Sequence, residues 1–221
     1  MTSVVPLTLR FKRRTARAAV LVLDGASASD ARAALAAVHP FDDDPWLIAV
    51  DGGLRGLRSI RRRPDVVVGD LDSAGPIPPD LPVKRYPVAK DFSDFAGALA
   101  EARRRGAELV SVAGLLGGRL DHEWANLFEA GRAARGFAAV VAPGPRGLIV
   151  VTSTFVRARA GRGSLTSVFA IGGTARVSLR GTRWPLTSRR LVPGSLGLSN
   201  VATGTVTLTV HAGVAALVLP A

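Results

Sequence analysis

Aspartates follow short apolar segments of this sequence at a spacing that suits the binding of a divalent cation. Asp70 and Asp72 stand two residues apart, after the β-branched run at 66–68 and Gly69. Further aspartates also lie where apolar segments end or helical patterns begin: Asp51, Asp91, Asp94 and Asp121. Carboxylates gathered at one edge of a sheet repel one another unless a positive charge neutralises them. Mg²⁺ meets this requirement, because it binds carboxylate oxygens together with phosphate oxygens and water.

Glycines and two basic side chains near these aspartates predict contacts to phosphate groups. The segments 51–53 (DGG) and 114–119 (GLLGGR) allow close backbone approach to a phosphate, and helix N-termini, which attract anions, are predicted to follow. Lys90 and Arg119 flank the carboxylates and could hold phosphate oxygens through charge-assisted hydrogen bonds. Neither glycine segment matches a Walker A loop or a G-x-G-x-x-G fingerprint.

The elements that must position these residues alternate between apolar strands and amphipathic helices up to about residue 145. In one such helix Ser93 is the predicted N-cap and Gly106 the predicted end, while Ser29 or Asp30 is the predicted cap of an earlier helix. This alternation predicts an α/β fold with a mostly parallel, Rossmann-like sheet flanked by helices. Ligands of such sheets bind beyond the carboxyl ends of the strands, where the aspartates are expected.

The helical period disappears after Gly147, and short segments rich in Val, Thr and Ser follow. This pattern is typical of an antiparallel β-sandwich. We therefore predict an N-terminal extension (1–17), an α/β domain that carries the predicted Mg²⁺ and phosphate contacts (18–145), and a smaller C-terminal β-sandwich domain (146–221).

Composition narrows the class of protein. The 221 residues carry a net charge of +12 and include no cysteine, so disulfides and thiolate metal sites are excluded. The basic residues are spread over many segments with few aromatics between them, which favours a solvated surface over a nucleic-acid module. Without a long apolar run or an N-terminal signal pattern, the expected location is the cytoplasm, with no membrane partner.

Four blocks, in this order, resemble the thiamine pyrophosphokinase family. They are VDGG (50–53), PDVVVGDLDS (64–73), KDFSD (90–94) and GLLGGRLDHEWAN (114–126). A later block, GTRWPLTSRRLVPGSLGLSN (181–200), resembles that family's G-x-x-W-x-L … S-N segment. The resemblance covers nearly the whole chain after about residue 18.

The resemblance implies an activity and a role for each matching residue. The family transfers the terminal diphosphate of ATP to thiamine, releases AMP, and acts as a homodimer. The implied catalytic residues are Asp70, Asp72, Asp94 and Asp121, the implied metal ligands Asp51, Asp70 and Asp72, and the implied ATP contacts Asp51, Gly52, Gly53, Lys90, Gly117, Gly118 and Arg119. Trp184, Ser199 and Asn200 are implied to form the thiamine pocket, near or across the dimer interface. Either Asp94 or Asp121 would orient or deprotonate the thiamine hydroxyl.

Two alternatives remain at the level of sequence. The aspartate blocks indicate diphosphoryl transfer, but they say less about which alcohol receives the diphosphate. A related enzyme could therefore act on another alcohol, such as a hydroxymethyl pterin. A non-catalytic nucleotide-binding module is a second alternative. Aspartates at the binding site would not help such a module, because they repel a negatively charged nucleotide. The sequence also departs from the family pattern, because Ser93 replaces a threonine and Val201 replaces a glutamate.

Overall fold

The computed structural model describes residues 9–11 and 16–221. Its helices are α1 (Ala28–Val38), α2 (Gly53–Ser59), α3 (Asp94–Arg104) and α4 (Leu120–Ala133). Its strands are β1 (Leu9–Arg10), β2 (Ala18–Val22), β3 (Trp46–Val50), β4 (Val66–Gly69), β5 (Val83–Arg85), β6 (Leu109–Ala113), β7 (Ala139–Gly144), β8 (Gly147–Thr152), β9 (Phe155–Arg159), β10 (Leu165–Ala170), β11 (Ala175–Thr182), β12 (Leu186–Leu191), β13 (Asn200–Ala212) and β14 (Ala215–Pro220). The α/β class is as predicted, and the described strands form one large mixed sheet with few helices.

The first half of the sheet is parallel, in the order β5-β4-β3-β2-β6-β7. All five residues of β2 are buried, because helices cover both faces of the sheet. Val20 and Val22 belong to one apolar cluster with α1, whereas Ala19 and Leu21 belong to another with α3. This double burial explains why the strand segments are uninterrupted apolar runs.

The second half of the sheet is antiparallel and continues from the first. β8 pairs with β7 and β14 pairs with β8, and the order then runs through β10, β13, β9 and β1, with β11 on β13 and β12 on β11. One apolar cluster joins Val20 of β2 to Val168 of β10 and Leu208 of β13. The predicted boundary at 145/146 lies in the β7–β8 turn, between two hydrogen-bonded strands of one sheet. The division into an α/β domain and a β-sandwich domain remains a prediction.

The predicted N-terminal extension contributes a strand to the far end of this sheet. Leu9 of β1 is opposite Ala158 of β9, and Arg10 is opposite Arg157. The rest of the predicted extension includes residues 1–8 and 12–15, which lie outside the described part of the chain. Residues 9 and 10 are therefore paired with the C-terminal half of the chain.

Helix ends agree with the predicted caps in one case and differ in another. Ser93 caps α3, since its Oγ accepts a hydrogen bond from the amide of Ala96, and Gly106 follows the helix with φ 78°. The cap of α1 is Ser27, not Ser29 or Asp30 as predicted. Ser27 forms a capping box, in which its side chain accepts from the Asp30 amide and the Asp30 carboxylate accepts from the Ser27 amide. Asp30 is therefore the N3 partner of the cap.

None of the helices within the described residues combines the length and the apolar character needed to cross a lipid bilayer.

Candidate active site

Asp51 and Asp70 lie side by side because β3 and β4 are parallel neighbours. Val50 at the end of β3 is opposite Val68 of β4, so both chains leave the sheet at the same edge. The Asp51 amide donates to the Val68 carbonyl (3.0 Å), and the Asp51 carboxylate accepts from the Leu71 amide (3.0 Å). Asp51 itself has a left-handed backbone, with φ 46°. This conformation is uncommon for a residue with a side chain and is concentrated at functional sites.

Gly69 leaves the space that the Asp51 carboxylate occupies. A Cβ atom on Gly69 would lie 1.9 Å from Asp51 Oδ1, and Gly69 has φ 145°. Any side chain at this position would push the Asp51 carboxylate away from its hydrogen bond with Leu71. The glycine in the GDLDS block is therefore required by the position of Asp51.

Asp94 completes a group of three carboxylates. It is the first residue of α3, and one oxygen each of Asp51, Asp70 and Asp94 lies within 4.8 Å of the others. Asp94 Oδ1 is buried and faces the ammonium group of Lys90. Three hard carboxylate ligands fit Mg²⁺, which prefers oxygen ligands and keeps positions for phosphate and water.

Lys90 neutralises part of the charge of this group. Its Nζ lies 3.1 Å from Asp94 Oδ1 and 4.0 Å from Asp70 Oδ2, and its side chain is only 8% exposed. The lysine predicted to contact phosphate is thus held against two of the carboxylates.

Burial raises the pKa of Asp51 from 3.8 to about 6, and repulsion from Asp94, Asp70 and Asp72 adds to the effect. The hydrogen bond from the Leu71 amide acts in the opposite direction. A raised pKa means that the folded protein without metal binds a proton at Asp51 more tightly than the unfolded chain does. The contribution of this proton to the stability of the folded state is present below about pH 4 and is lost as pH rises through 6.

We expect Asp51→Asn to stabilise the metal-free protein at pH 8, by roughly 1–2 kcal/mol. The asparagine oxygen can still accept from the Leu71 amide, while the unfavourable charge is removed. Thermal unfolding in EDTA between pH 5 and pH 8 measures this, with the exposed Asp43→Asn as a control for the change in net charge. Equal pH dependence in wild type and Asp51→Asn would contradict the assignment.

The remaining predicted aspartates lie outside the three-carboxylate group. Asp72 is exposed, and its amide donates to Asp70 Oδ1 (3.2 Å), so Asp72 closes the turn that carries Asp70. Asp91 is also exposed. Asp121 is exposed in the first turn of α4. The roles predicted for Asp72 and Asp121 stay predictions.

Arg119 and Asp121 form a pair at the start of α4. Arg119 donates to Asp121 through Nε (3.2 Å) and Nη2 (2.6 Å), and these hydrogen bonds lower the pKa of the Asp121 carboxyl. Gly117 and Gly118 precede the pair and are exposed, and the Gly117 amide donates to Glu123. Arg119 therefore stands at a helix N-terminus with its orientation set by Asp121.

The glycines of the DGG block have a structural role as well as the predicted one. A Cβ on Gly53 would lie 1.8 Å from the Val22 carbonyl oxygen, and one on Gly52 would lie 1.8 Å from Asp24 Oδ1. The start of α2 thus packs directly on the end of β2. This close packing requires glycine whether or not a phosphate is bound.

Two positioning groups were not singled out from the sequence. Arg55 donates to Asp24 Oδ1 (2.7 Å) and to the Ser73 carbonyl, and so ties the loop after β2 to the loop that carries Asp70. Asp24 lies shortly after β2, and Asp51 lies after β3. The argument that ligands bind beyond the carboxyl ends of parallel strands could therefore have identified Asp24 from the sequence. Asn126, inside the GLLGGRLDHEWAN block, is buried and donates to the Leu115 carbonyl (3.3 Å), which holds the glycine loop on α4.

The predicted thiamine residues meet at the start of β13. Trp184 is 54% exposed, and the Arg183 guanidinium lies 5.0 Å from its ring centroid. Buried Asn200 accepts from the Trp184 amide (3.1 Å) and donates to the Trp184 carbonyl (2.6 Å). Ser199 has φ 56°, and its amide donates to Ser167 Oγ (3.0 Å). Asn200 thus holds the backbone that presents the indole to solvent.

Family comparisons match both halves of the chain. Residues 39–140 match the catalytic domain of thiamin pyrophosphokinase, and residues 154–215 match its vitamin B1 binding domain. Both matched domains belong to one class of enzyme, the ATP-dependent diphosphotransferases. The chain belongs to the thiamin pyrophosphokinase family. The resemblance inferred from the sequence blocks is thereby confirmed.

Solved structures share the fold. The thiamine pyrophosphokinase of Bacillus subtilis is 19% identical, with a TM-score of 0.73 over 91% of this chain and 98% of that one. The enzyme from Geobacillus thermodenitrificans is 24% identical, with a TM-score of 0.70 over 92% and 97% of the two chains. The Candida albicans enzyme is 11% identical, with a TM-score of 0.64 over 99% and 100%. Comparison with curated protein sequences gives no match.

Proposed function

We propose that this chain transfers the terminal diphosphate of ATP to the hydroxyethyl oxygen of thiamine, giving thiamine diphosphate and AMP. The observation that supports this most directly is the group formed by Asp51, Asp70 and Asp94 at the carboxyl edge of the parallel sheet. It lies within the segment that matches the family's catalytic domain. A cytoplasmic location is part of the same proposal.

Asp51, Asp70 and Asp94 would hold Mg²⁺, with Asp72 close enough in sequence to Asp70 to join them. Bound there, Mg²⁺ would supply charge neutralisation for the phosphate oxygens of ATP. The protein itself positions the reactants, because diphosphoryl transfer needs orientation and electrostatic stabilisation more than covalent participation.

Asp94 is better placed than Asp121 to orient or deprotonate the thiamine hydroxyl. Asp94 belongs to the three-carboxylate group, with Lys90 3.1 Å from its Oδ1, whereas Asp121 lies outside that group and its carboxylate is held by Arg119. The lowered pKa of Asp121 opposes proton acceptance. We assign to Asp121 the orientation of Arg119 towards the phosphates of ATP, with the amides of Gly117 and Gly118 nearby.

Trp184 is the proposed stacking surface for thiamine. Thiamine is a flat aromatic cation, and an exposed indole offers both stacking and cation–π attraction. Asn200 acts by holding the Trp184 backbone, and Ser199 joins it at the same turn.

Trp184→Ala is expected to raise the KM for thiamine about tenfold or more, with little change in the KM for ATP. The loss of the indole removes stacking from the acceptor and leaves the aspartate edge intact. Steady-state kinetics with each substrate varied in turn measures the two constants, and Trp184→Phe, which keeps a flat ring, serves as the control. An unchanged KM for thiamine would exclude Trp184 from the pocket.

A homodimer would bring the two half-sites together. The strands β10, β14, β8, β7, β6, β2 and β3 lie between β13, next to Trp184, and β4, which leads to Asp70. The two half-sites therefore follow strands that are not neighbours in the sheet. Each half-site also has exposed apolar side chains beside it: Leu120, Trp124 and Phe128 on α4, and Val192, Leu196 and Leu198 before Ser199. We infer that a second copy brings its Trp184 to the aspartates of the first.

Phe128→Glu is expected to shift the dimer to monomer and to reduce activity with it. Phe128 is 56% exposed and its ring lies 6.0 Å from that of Trp124, so a carboxylate would enter the proposed interface. Light scattering after size-exclusion chromatography measures the mass. Val83→Glu, at a residue 43% exposed on the outer strand β5, is the control. A fully active wild-type monomer would contradict the shared site.

The deciding assay combines purified protein with ATP, Mg²⁺ and thiamine and follows AMP and thiamine diphosphate. Thiamine diphosphate formation supports the proposal. Turnover with a hydroxymethyl pterin but not with thiamine would assign the related diphosphokinase. ATP binding without turnover of either alcohol would favour the non-catalytic module.

A further inference from the structure

A cavity at the far end of the sheet is lined by basic side chains that the proposed reaction does not use. It has a volume of about 250 Å³ and is lined by Arg10, Arg157, Arg159 and Thr205. These residues come from β1, β9 and β13, whereas the aspartates follow β3 and β4 near the other end of the strand order. The cavity is therefore separate from the aspartate group of the same chain.

Strand register places these side chains on one face of the sheet. Arg10 is opposite Arg157, and Arg159 is opposite Thr205. Arg157 and Arg159 are two residues apart on β9 and exposed, while Ala158 between them is fully buried. Since side chains alternate across a strand, the arginines point to the outer surface and Ala158 to the core.

The positive charge of this cavity is not balanced by an ion pair within the described part of the chain. Within residues 9–11 and 16–221, no carboxylate forms an ion pair with Arg10, Arg157 or Arg159. Arg180 of β11 is opposite Thr207 of β13, so a further arginine lies on the strand next to β13. Like charges directly opposite one another in a sheet are destabilising, and a bound anion would offset this repulsion.

We propose that this cavity binds the diphosphate group of a small anion. Guanidinium groups donate paired hydrogen bonds to phosphate oxygens, and the Thr205 hydroxyl adds a neutral donor. Diphosphate carries more negative charge than orthophosphate and distributes it over two groups. This matches three guanidiniums spread over two cross-strand pairs. A concave cavity bounded by three strands suits a small anion better than an extended polymer.

The test is calorimetric titration of the full-length protein with inorganic diphosphate in EDTA. Without metal, the aspartate group repels this anion, so binding reports on basic sites. We expect wild type to bind diphosphate more tightly than orthophosphate. Arg157→Ala combined with Arg159→Ala is expected to weaken binding about tenfold or more, since each charged hydrogen bond contributes substantially. A second titration with ADP tests whether the cavity accepts a diphosphate ester. Any binding of either anion near the aspartates is the same in wild type and in the double variant, so the difference between them reports on the cavity.

The matched control is Arg32→Ala combined with Arg135→Ala, two exposed arginines on and after helices. It removes the same charge and is expected to leave the affinity for diphosphate unchanged. If both double variants lost the same affinity for diphosphate, the loss would be due to net charge alone, and the proposal would be overturned. Absence of diphosphate binding in wild type would also overturn it, as would preference for orthophosphate. Thermal unfolding confirms that both variants are folded.

Discussion

Asp70→Asn is expected to reduce the rate of thiamine diphosphate formation by about a thousandfold or more at saturating ATP and thiamine. Asp70 supplies one of the three grouped carboxylates, and its Oδ1 also accepts from the Asp72 amide. The asparagine oxygen can keep that turn, but it removes one of the negative charges that would hold Mg²⁺. The loss is therefore electrostatic, with the loop conformation retained.

The measurement is the initial rate of AMP and thiamine diphosphate formation over a range of Mg²⁺ concentrations. Thermal unfolding in EDTA shows whether the variant is folded, and we expect its melting temperature to be equal to or above that of wild type, because repulsion with Asp51 is relieved. Asp43→Asn is the matched control and should retain full activity. Near-normal turnover of Asp70→Asn would remove Asp70 from the metal site.

Glu101→Gln is expected to lower the free energy of unfolding by about 3 kcal/mol at neutral pH. Glu101 of α3 is 1% exposed and is surrounded by three cations. Arg104 donates to both of its oxygens (2.6 and 2.9 Å), Arg105 donates to Oε1 (2.7 Å), and Lys84 of β5 donates to Oε2 (3.1 Å). These hydrogen bonds, with that of Arg104 the largest, lower the pKa of Glu101 from 4.5 to about 2. The neutral amide would leave Lys84 and Arg105 without their counter-charge.

The pH dependence gives a second readout of the same residue. A lowered pKa contributes stability above about pH 4.5, and that stability is lost as pH falls through 2. The difference between wild type and Glu101→Gln should therefore shrink between pH 5 and pH 2 in denaturant unfolding. Glu129→Gln, which breaks the Glu129–Arg132 pair on the surface of α4, should change stability by less than about 1 kcal/mol. Similar losses in the two variants would contradict the role of Glu101.

Sequence periodicity was sufficient for the features that depend on local chemistry. Uninterrupted apolar strands indicated a parallel sheet. Because the carboxyl ends of parallel strands meet at one edge of a sheet, Asp51 and Asp70 were predicted to lie together there. Ser93 was predicted as a cap because hydroxyl capping involves only the next few residues. The motif blocks identified the family, since they are specific to one kind of chemistry.

Other features needed the fold. Asp94 joins Asp51 and Asp70, whereas Asp72 and Asp121 do not, because the direction of a helix N-terminus or a turn depends on packing. Sequence pattern likewise could not show that Trp124 and Phe128 point outward from α4, or that the small residues Ala130 and Gly131 pack inward.

The sequence by itself determined the strand and helix pattern, the acidic edge of the sheet and the family, because each rests on residues close together in the chain. Only the tertiary structure decided which carboxylates share a site, that β1 completes the far end of the sheet, and that Arg10, Arg157 and Arg159 meet in one cavity. The last two features depend on the register between β1 and β9, which are about 150 residues apart in the chain. That register is set by long-range packing, which no local pattern encodes.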